Sequence, residues 1–274
     1  ARAGIEPHVF DRYEEIGGLL SFGIPAFKLE KQVIQTRRGV LEAMGVRFHL
    51  GVEVDAAMGR ELVRDYDAVF LGTGAYTPVD GRLPGQDLPG VLPALPFLVA
   101  NARRLLGKPH RDDPAFDLAG KRVLVLGGGD TAMDCVRSSL RLGAAQVTSA
   151  YRRGENDMPG SRREVKNARE EGVRFAECLS PTRIDVDAQG AVESISFARQ
   201  LRDADGKWRD GDTWQAPARA VFIAAGTQPN TVLAREDATH FALDGRYFRA
   251  IDADGRPVQP ARGVHQLAHA GASV

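Results

Sequence analysis

The chain has 274 residues, and its 36 basic and 36 acidic side chains cancel to a formal net charge of zero. Such a balance gives no extended field for nucleic acid or an anionic membrane, and no apolar run approaches the ~20 residues that cross a bilayer. Two cysteines, Cys135 and Cys178, are too few for a disulfide framework or a metal knuckle, which favours reduced thiols in a cytoplasmic protein. The six histidines show no ligand spacing, so we predict no metal site.

The first part of the sequence predicts short strands around one helix. Short apolar runs predict strands over residues 6–11, 46–50, 51–54 and 67–71. Apolar positions at helical spacing predict a helix over residues 31–44. The first strand ends in Asp11, and the last leads into the turn Gly72-Thr73-Gly74.

The second part predicts a parallel sheet. Residues 77–96 are rich in proline and glycine, which predicts a loop, and a helix is predicted over residues 97–106. From about Leu118 the order strand, helix, strand, helix over residues 122–173 predicts parallel strands covered on both faces. Further strands, three of them in an antiparallel excursion, are predicted over residues 184–186, 192–197, 208–214 and 220–224. The last of these runs into Gly226-Thr227.

Each part therefore contains an apolar strand that enters a Gly-Thr turn, at Gly72-Thr73 and at Gly226-Thr227. This duplication predicts two dinucleotide-binding units and two nucleotides. We accordingly predict an α/β fold with two Rossmann-like dinucleotide-binding domains.

A glycine turn joins the strand that begins at Arg122 to the following helix. Gly127, Gly129 and Ala132 fit the G-x-G-x-x-G/A fingerprint, in which the first glycine makes the tight turn and the second lets the backbone approach a pyrophosphate. The helix that begins near Asp130 offers its free N–H groups to the phosphates. A purely structural turn is the alternative, but the strand before it and the helix after it favour a nucleotide site.

Two arginines stand where an NAD-binding domain places an acidic residue, about 24 residues after Gly127. Guanidinium groups pair with a 2′-phosphate, so Arg152 and Arg153 predict a preference for NADPH, against the alternative of two solvated arginines. Arg162 and Arg163 would either supply a second phosphate contact or pair with Glu164 on a helix surface, and the sequence leaves both possibilities open.

Asp11 would accept hydrogen bonds from a ribose 2′-hydroxyl, as suits FAD or NAD; the alternative is a cap or turn aspartate. Gly72 and Gly74 would let the backbone pass close to that nucleotide, or they form an ordinary turn. Ser161 predicts a helix N-cap, and Glu164 completes a capping box. The absence of a C-x-x-C motif argues against a dithiol reductase.

Long segments of the chain resemble the small (β) subunits of bacterial NADPH-dependent glutamate synthases. These segments read VFDRYEEIGGLLSFGIPAFKLEK, YDAVFLGTG, GKRVLVLGGGDTAMDCVRSSLRLGA and YRRGENDMPGSRREVKNAREEGV, and the resemblance covers about residues 8–230. It implies an NADPH domain inserted into an FAD domain. On this basis residues 1–116 belong to the FAD domain without its N-terminal part, residues 117–230 form the NADPH domain, and residues 231–274 return toward the FAD domain.

The resemblance also implies a function and a partner. In that family NADPH reduces FAD, and electrons pass through iron–sulfur clusters to a large (α) subunit, which forms L-glutamate from 2-oxoglutarate and glutamine-derived ammonia. The cysteines expected to bind 4Fe–4S clusters, and part of the FAD site, lie outside this sequence. Two alternatives remain: the same module serving another iron–sulfur oxidoreductase, of the ferredoxin:NADP or pyrimidine-reducing type, or an NADPH-binding remnant without catalysis.

Carried over by position, the resemblance assigns cofactor contacts but no catalytic side chain, because hydride passes directly between two cofactors. The flavin side comprises Asp11, Gly17, Gly18, Leu19, Gly72, Thr73 and Gly74. The NADPH side comprises Gly127, Gly128, Gly129, Asp130, Thr131, Arg152 and Arg153. Gly226 and Thr227 form the second Gly-Thr turn.

Overall fold

The computed structural model describes residues 1–238, 241–252 and 254–258, which fall into two compact units. The first unit comprises Ala1–Glu15, Glu42–Thr77 and the described part of Thr227–Val274. The second comprises Ile16–Leu41 and Pro78–Gly226. The predicted return segment lies partly outside the described residues. Assignment of each predicted domain to its cofactor stays a prediction.

Strands and helices occupy the following positions in chain order. The strands are β1 His8–Asp11, β2 Arg47–Leu50, β3 Thr77–Pro78, β4 Val91–Pro93, β5 Arg122–Leu126, β6 Gln146–Ala150, β7 Arg174–Ala176, β8 Leu179–Val186, β9 Val192–Arg202, β10 Trp208–Pro217, β11 Ala220–Ile223, β12 Thr227–Gln228, β13 Leu243–Asp244 and β14 Tyr247–Phe248. The helices are α1 Leu19–Phe22, α2 Lys31–Ala43, α3 Ala56–Asp65, α4 Ala94–Leu105, α5 Asp130–Arg141, α6 Arg162–Glu170 and α7 Val232–Glu236, with a 3₁₀ turn at Glu155–Asp157.

The first unit is built around short strand pairs. β1 and β2 are parallel, with His8 opposite Arg47 and Phe10 opposite His49. β13 and β14 form an antiparallel pair, and β12 pairs with β3. Helix α3 begins at a sequence-encoded cap, because the Asp55 side chain accepts a hydrogen bond from the Met58 N–H at 2.8 Å.

The second unit holds a five-stranded sheet in the order β4-β11-β5-β6-β7, with every neighbouring pair parallel. Strand β5 reads RVLVL and is buried from its second residue on, as expected for a parallel strand covered on both faces. Phe97 of α4 stacks on Phe222 of β11 with ring centroids 4.0 Å apart. Strands β10, β9 and β8 form a separate antiparallel sheet. The predicted α/β class is confirmed.

Three element predictions are wrong. Residues 67–71 form no strand, and Phe70 is 91% exposed; an apolar run becomes a strand by pairing with a neighbour, which this segment lacks among the described residues. Residues 51–54 likewise form no strand. The predicted loop 77–96 contains β4, whose three residues end in Pro93 and occupy a sheet edge, where proline is tolerated.

Helices α3 and α4 also differ from the predictions. Helix α3 was not predicted, and α4 begins three residues before the predicted start. Pro96 lies in the first turn of α4, where a missing N–H costs no hydrogen bond. None of the helices in the described part of the chain is long and apolar enough to cross a membrane.

Candidate nucleotide-binding site

The strand–turn–helix geometry around Gly127 is confirmed. β5 ends at Leu126 and α5 begins at Asp130, with Gly129 as the N-cap residue. Gly127 has φ of 148°, a conformation that L side chains rarely adopt, and a Cβ there would stand 2.6 Å from the Ala224 carbonyl oxygen. The fold itself therefore requires glycine at this position.

Gly129 has no such internal reason to be glycine. Its backbone angles, φ −88° and ψ 176°, are extended and open to any residue. An added Cβ would meet no described atom closer than Pro159 Cγ, at 3.8 Å. The space beside Gly129 lies at the start of α5 and at the carboxyl end of β5, which is where ligands of open parallel sheets bind.

A second loop, residues 158–161, packs on the glycine turn. The Gly160 N–H donates to the Gly128 carbonyl oxygen at 3.0 Å, and a Cβ on Gly160 would stand 2.9 Å from that oxygen. The Ser161 N–H donates to Asp130 Oδ1 at 2.9 Å. The Asp130 carboxylate therefore joins this loop to the first turn of α5.

The N-cap prediction for Ser161 is confirmed, while the capping box is wrong in its second half. Ser161 Oγ accepts from the Glu164 N–H at 3.3 Å. The Glu164 carboxylate instead accepts from Arg137 at 2.7 Å, and Asp130 satisfies the Ser161 N–H. In a capping box the Glu164 carboxylate would accept from the Ser161 N–H; here it accepts from the charged Arg137 guanidinium, which is the stronger donor.

Arg152 and Arg153 follow the end of β6, at the same carboxyl edge as the glycine turn. Both are exposed, and neither forms an ion pair with any residue in 1–238, 241–252 or 254–258. Because no ion pair with these residues occupies them, both guanidinium groups are available to an anion. Contact with a 2′-phosphate stays a prediction.

Arg162 and Arg163 do not pair with Glu164, so that alternative is wrong. Arg162 donates instead to Asn156 Oδ1 at 3.0 Å. It also lines a shallow cavity of about 180 Å³, together with Lys166 and Arg169. A second phosphate contact from Arg162 or Arg163 stays a prediction.

A partly buried charge cluster, which the sequence did not predict, joins α5 and α6 to Lys28, which lies before α2. Lys28 Nζ lies 2.8 Å from Asp134 Oδ1 and 3.5 Å from Glu164 Oε2. Arg137 binds Glu164 and Glu171, and Arg141 binds Glu171 at 2.7 Å. We call these residues the α5–α6 charge cluster. One sequence signal existed: Asp134 and Arg137 flank the apolar pair Cys135-Val136 on the buried face of α5.

The titration behaviour of the cluster follows from burial and pairing. Burial raises the pKa of the Asp134 carboxyl despite its bond to Lys28. The pKa of Lys28 is raised: burial acts against its charge, but the bond to Asp134 and the nearby carboxylates outweigh it. The hydrogen bonds from Arg141 and Arg137 lower the pKa of Glu171 to about 2.

Phe27 fixes the neighbouring loop against the same cluster. Its ring lies under two guanidinium groups, 4.5 Å from Arg137 Cζ and 3.9 Å from Arg141 Cζ. Cation–π contacts of this kind hold the segment that follows Gly17, Gly18 and α1. These two glycines have φ of 97° and 49°, and both belong to the second unit.

In the first unit, Asp11 ends β1 and makes a local turn. Its Oδ1 accepts from the Tyr13 N–H at 2.9 Å, so Asp11 is a turn aspartate, the alternative to a ribose ligand. Arg12 Cζ lies 5.3 Å from the ring centroid of Tyr13 and 5.2 Å from that of Tyr76. Burial raises the pKa of Tyr76 to about 12. A ribose contact from Asp11 stays a prediction.

Hydrogen bonds to backbone carbonyl oxygens hold the two Gly-Thr turns. Thr73 Oγ1 donates to the Asn230 carbonyl oxygen at 2.9 Å, and the Asn230 N–H donates to the Gly74 carbonyl oxygen at 2.8 Å. The Gly226 carbonyl oxygen accepts from the Val79 N–H at 3.0 Å, and Thr227 begins β12. These bonds explain the turns, while a nucleotide contact at Gly72 stays a prediction.

The glycine turn permits a matched pair of substitutions. Gly129→Ala should leave the fold intact, because its backbone and surroundings accept a Cβ, and should weaken NADPH binding at least tenfold by occupying the pyrophosphate space. Gly127→Ala should lower the free energy of unfolding by about 2 kcal/mol, because of its positive φ and the 2.6 Å contact. Urea unfolding and fluorescence titration with NADPH measure the two effects. Unchanged NADPH affinity in Gly129→Ala would argue against a pyrophosphate at this turn.

Comparison with known proteins agrees with this geometry. Residues 59–261 match the family model of the pyridine nucleotide-disulphide oxidoreductases. The chain is 50% identical over 240 residues to the glutamate synthase [NADPH] small chain of Escherichia coli, an alignment that covers 84% of this chain and 51% of the relative. It is 47% identical over 238 residues to the putative oxidoreductase AegA of the same organism, covering 84% of this chain and 36% of the relative. The resemblance seen in the sequence is confirmed.

Solved structures support the fold. FprA from Mycobacterium tuberculosis in complex with NADPH has a TM-score of 0.68 at 22% identity, covering 82% of this chain and 65% of that one. Thioredoxin reductase from T. acidophilum has a TM-score of 0.59 at 17% identity, covering 95% and 81%. The chain spans about half the length of the glutamate synthase small chain that it matches.

Proposed function

The chain belongs to the pyridine nucleotide-disulphide oxidoreductase family, and from this premise we propose that it is the NADPH-dependent flavoprotein module through which electrons enter a glutamate synthase. One observation supports the NADPH assignment above the others. The open space at Gly129 and the two unpaired guanidinium groups of Arg152 and Arg153 lie at the carboxyl ends of adjacent strands. That arrangement supports the proposal that a pyrophosphate binds at the glycine turn and a 2′-phosphate at the two arginines.

The chain's own residues bind and orient rather than react. The N–H groups from Gly129 to Thr131 would hold the pyrophosphate at the N-terminus of α5, while Arg152 and Arg153 would hold the 2′-phosphate. When bound, the two cofactors would supply the redox chemistry, in which NADPH gives a hydride to FAD and becomes NADP⁺ while the flavin takes up a proton. The protein contributes the alignment of the two rings.

We propose FAD contacts at Asp11 and at the glycine segments 17–19 and 72–74. Asp11 uses Oδ1 in its own turn, so its second oxygen would serve a ribose hydroxyl. Gly17, Gly18 and Leu19 would lie near the flavin, and Gly72 to Gly74 would pass beside the nucleotide. The positive φ of Gly17 and Gly18 favours glycine in this turn, and a Cβ on Gly17 would also stand 2.9 Å from Ser21 Oγ.

The larger assembly is part of the same proposal. Electrons would leave FAD through 4Fe–4S clusters toward a large subunit that forms L-glutamate, and the protein would act in the cytoplasm. The curated name "small chain" of the 50% identical relative supports a multi-subunit enzyme. Both cysteines are free thiols, Cys135 buried and Cys178 half-buried, in keeping with a reducing compartment.

A second candidate is the same module serving a different iron–sulfur oxidoreductase. The 47% identity to AegA, a putative oxidoreductase, favours it. The two differ in the electron acceptor. The test is to mix the reduced protein with its native partner, 2-oxoglutarate and glutamine. Glutamate formation supports the first candidate, and no glutamate formation with an intact partner supports the second.

The flavin assignment has its own test. The protein isolated from its native host should be yellow, and NADPH added without oxygen should bleach the flavin absorbance much faster than NADH. Both nucleotides are tested at equal concentration. The Arg111→Ala protein serves as a control, because Arg111 is an exposed side chain outside the predicted nucleotide contacts. A folded, colourless protein that binds NADPH would favour the remnant without catalysis.

A further inference from the structure

In the first unit, one nitrogen atom of His8 lies close to a nitrogen of His49 and to the hydroxyl of Tyr66, outside the predicted nucleotide contacts. His8 Nδ1 lies 3.1 Å from His49 Nε2, and Tyr66 Oη lies 2.9 Å from the same His8 nitrogen. The residues come from β1, from β2 and from the position after α3. His49 and Tyr66 lie 41 and 58 positions from His8, so no sequence motif with short spacing could predict the group. The parallel pairing of β1 with β2 brings the two histidines together.

The surrounding side chains hold the two rings in place. Glu6 Oε1 lies 3.6 Å from His8 Nε2, the ring nitrogen that does not face His49. The same oxygen pairs with Arg47 at 2.6 Å, so Glu6 acts on the His8 ring through its charge and not through a hydrogen bond. A negative charge beside Nε2 favours the tautomer that carries the proton there and leaves Nδ1 free as a ligand. On the other side, Phe10 stacks on His49 with centroids 4.5 Å apart and planes 11° apart. Neither imidazole needs to be ordered by the ligand itself.

Hydrogen bonding does not satisfy this cluster completely. A ring nitrogen has one in-plane direction, in which it either donates or accepts a single strong hydrogen bond. His8 Nδ1 has two partners within 3.1 Å, so one of the two contacts goes without a full hydrogen bond. A cation placed among the three atoms would accept a lone pair from each of them.

We propose that His8, His49 and Tyr66 bind one borderline transition-metal ion, of the class of Zn²⁺. Two nitrogens on a tetrahedral zinc stand about 3.3 Å apart, from bond lengths of about 2.0–2.1 Å, which is close to the separation seen here. Three protein ligands leave a fourth position for water. No group of three His, Cys, Asp or Glu side chains in the described part of the chain could hold a metal, and the tyrosine is what completes this set.

The site is reachable and chemically selective. The His8 side chain is 17% exposed, and both His49 and Tyr66 are half-buried, so an ion can enter without unfolding the unit. Imidazole ligands favour zinc, copper and nickel over magnesium and calcium, which prefer all-oxygen sites. We therefore expect Zn²⁺ to bind in the presence of excess Mg²⁺.

Calorimetric titration of the chain with ZnCl₂ in a buffer that does not chelate metal tests the proposal. We expect one Zn²⁺ per chain, an affinity lowered at least tenfold by His49→Ala, and a smaller loss in Tyr66→Phe. His110→Ala is the matched control, since His110 is an exposed histidine paired with Asp112, and it should bind zinc as the unsubstituted chain does. Circular dichroism checks that each variant is folded.

Nitrogen NMR of the unsubstituted chain gives a test that needs no variant. Zinc should shift Nδ1 of His8 and Nε2 of His49, and leave the resonances of His110 in place. Absence of saturable binding, coordination through other ring nitrogens, or an equal loss of affinity in His49→Ala and His110→Ala would overturn the proposal.

Discussion

Replacing Arg152 and Arg153 together with alanine should weaken NADPH binding about 100-fold and leave NADH binding nearly unchanged. Each charge-assisted hydrogen bond to a phosphate is worth about 1.5–3 kcal/mol, and NADPH alone carries the 2′-phosphate. Both side chains are exposed and free of ion pairs with the described residues, so their loss should not disturb the fold. Fluorescence titration with each nucleotide measures the two affinities.

A matched control separates this effect from a general loss of positive charge. Arg111→Ala removes one exposed guanidinium, 3.7 Å from Asp112, and should change neither affinity. Salt should weaken NADPH binding to the unsubstituted chain more than NADH binding, because screening acts on the extra phosphate charge. An equal loss of both affinities in the double variant would contradict the 2′-phosphate assignment.

Replacing Lys28 with methionine should lower the free energy of unfolding by about 3–5 kcal/mol. Lys28 neutralises Asp134, whose side chain is 8% exposed, and it also approaches Glu164, which is 14% exposed. Removing one member of a buried pair leaves the other charge without compensation, which costs more than the pair itself contributes. Urea unfolding, followed by circular dichroism, measures the change.

Two further variants decide whether the α5–α6 charge cluster causes that loss. Lys166→Met removes an exposed lysine that pairs with Glu170 at 3.7 Å, and it should cost less than about 1 kcal/mol. Lys28→Met combined with Asp134→Leu removes both charges and should recover much of the stability. If the double variant is no more stable than Lys28→Met alone, the unpaired carboxylate is not the cause.

Local patterns carried most of what the sequence could predict. The turn at Gly127 needs a strand before it and a helix after it, and all three are encoded within residues 122–141. The Ser161 cap is equally local. The signal in both cases is local: it lies in the positive φ of Gly127 and in the hydrogen bond from the Glu164 N–H to Ser161 Oγ.

Features that depend on distant partners could not be predicted. Lys28 and Asp134 are 106 positions apart, so no local sequence pattern contains both residues. The apolar run at 67–71 looks like a strand, yet pairing decides strand formation, and Phe70 remains exposed. Strand β4 was missed for the opposite reason. Its three residues, which end in proline, do not predict a strand by themselves, and they form one because β11 pairs with them.

The central claim is that Gly127 to Thr131 with Arg152 and Arg153 form an NADPH site. The most direct test is calorimetric titration of the 274-residue chain with NADP⁺ and with NAD⁺, which differ by the 2′-phosphate alone. We predict one NADP⁺ per chain, bound about 100-fold more tightly than NAD⁺. Equal affinities for the two nucleotides, or binding of neither to a folded chain, would contradict the account.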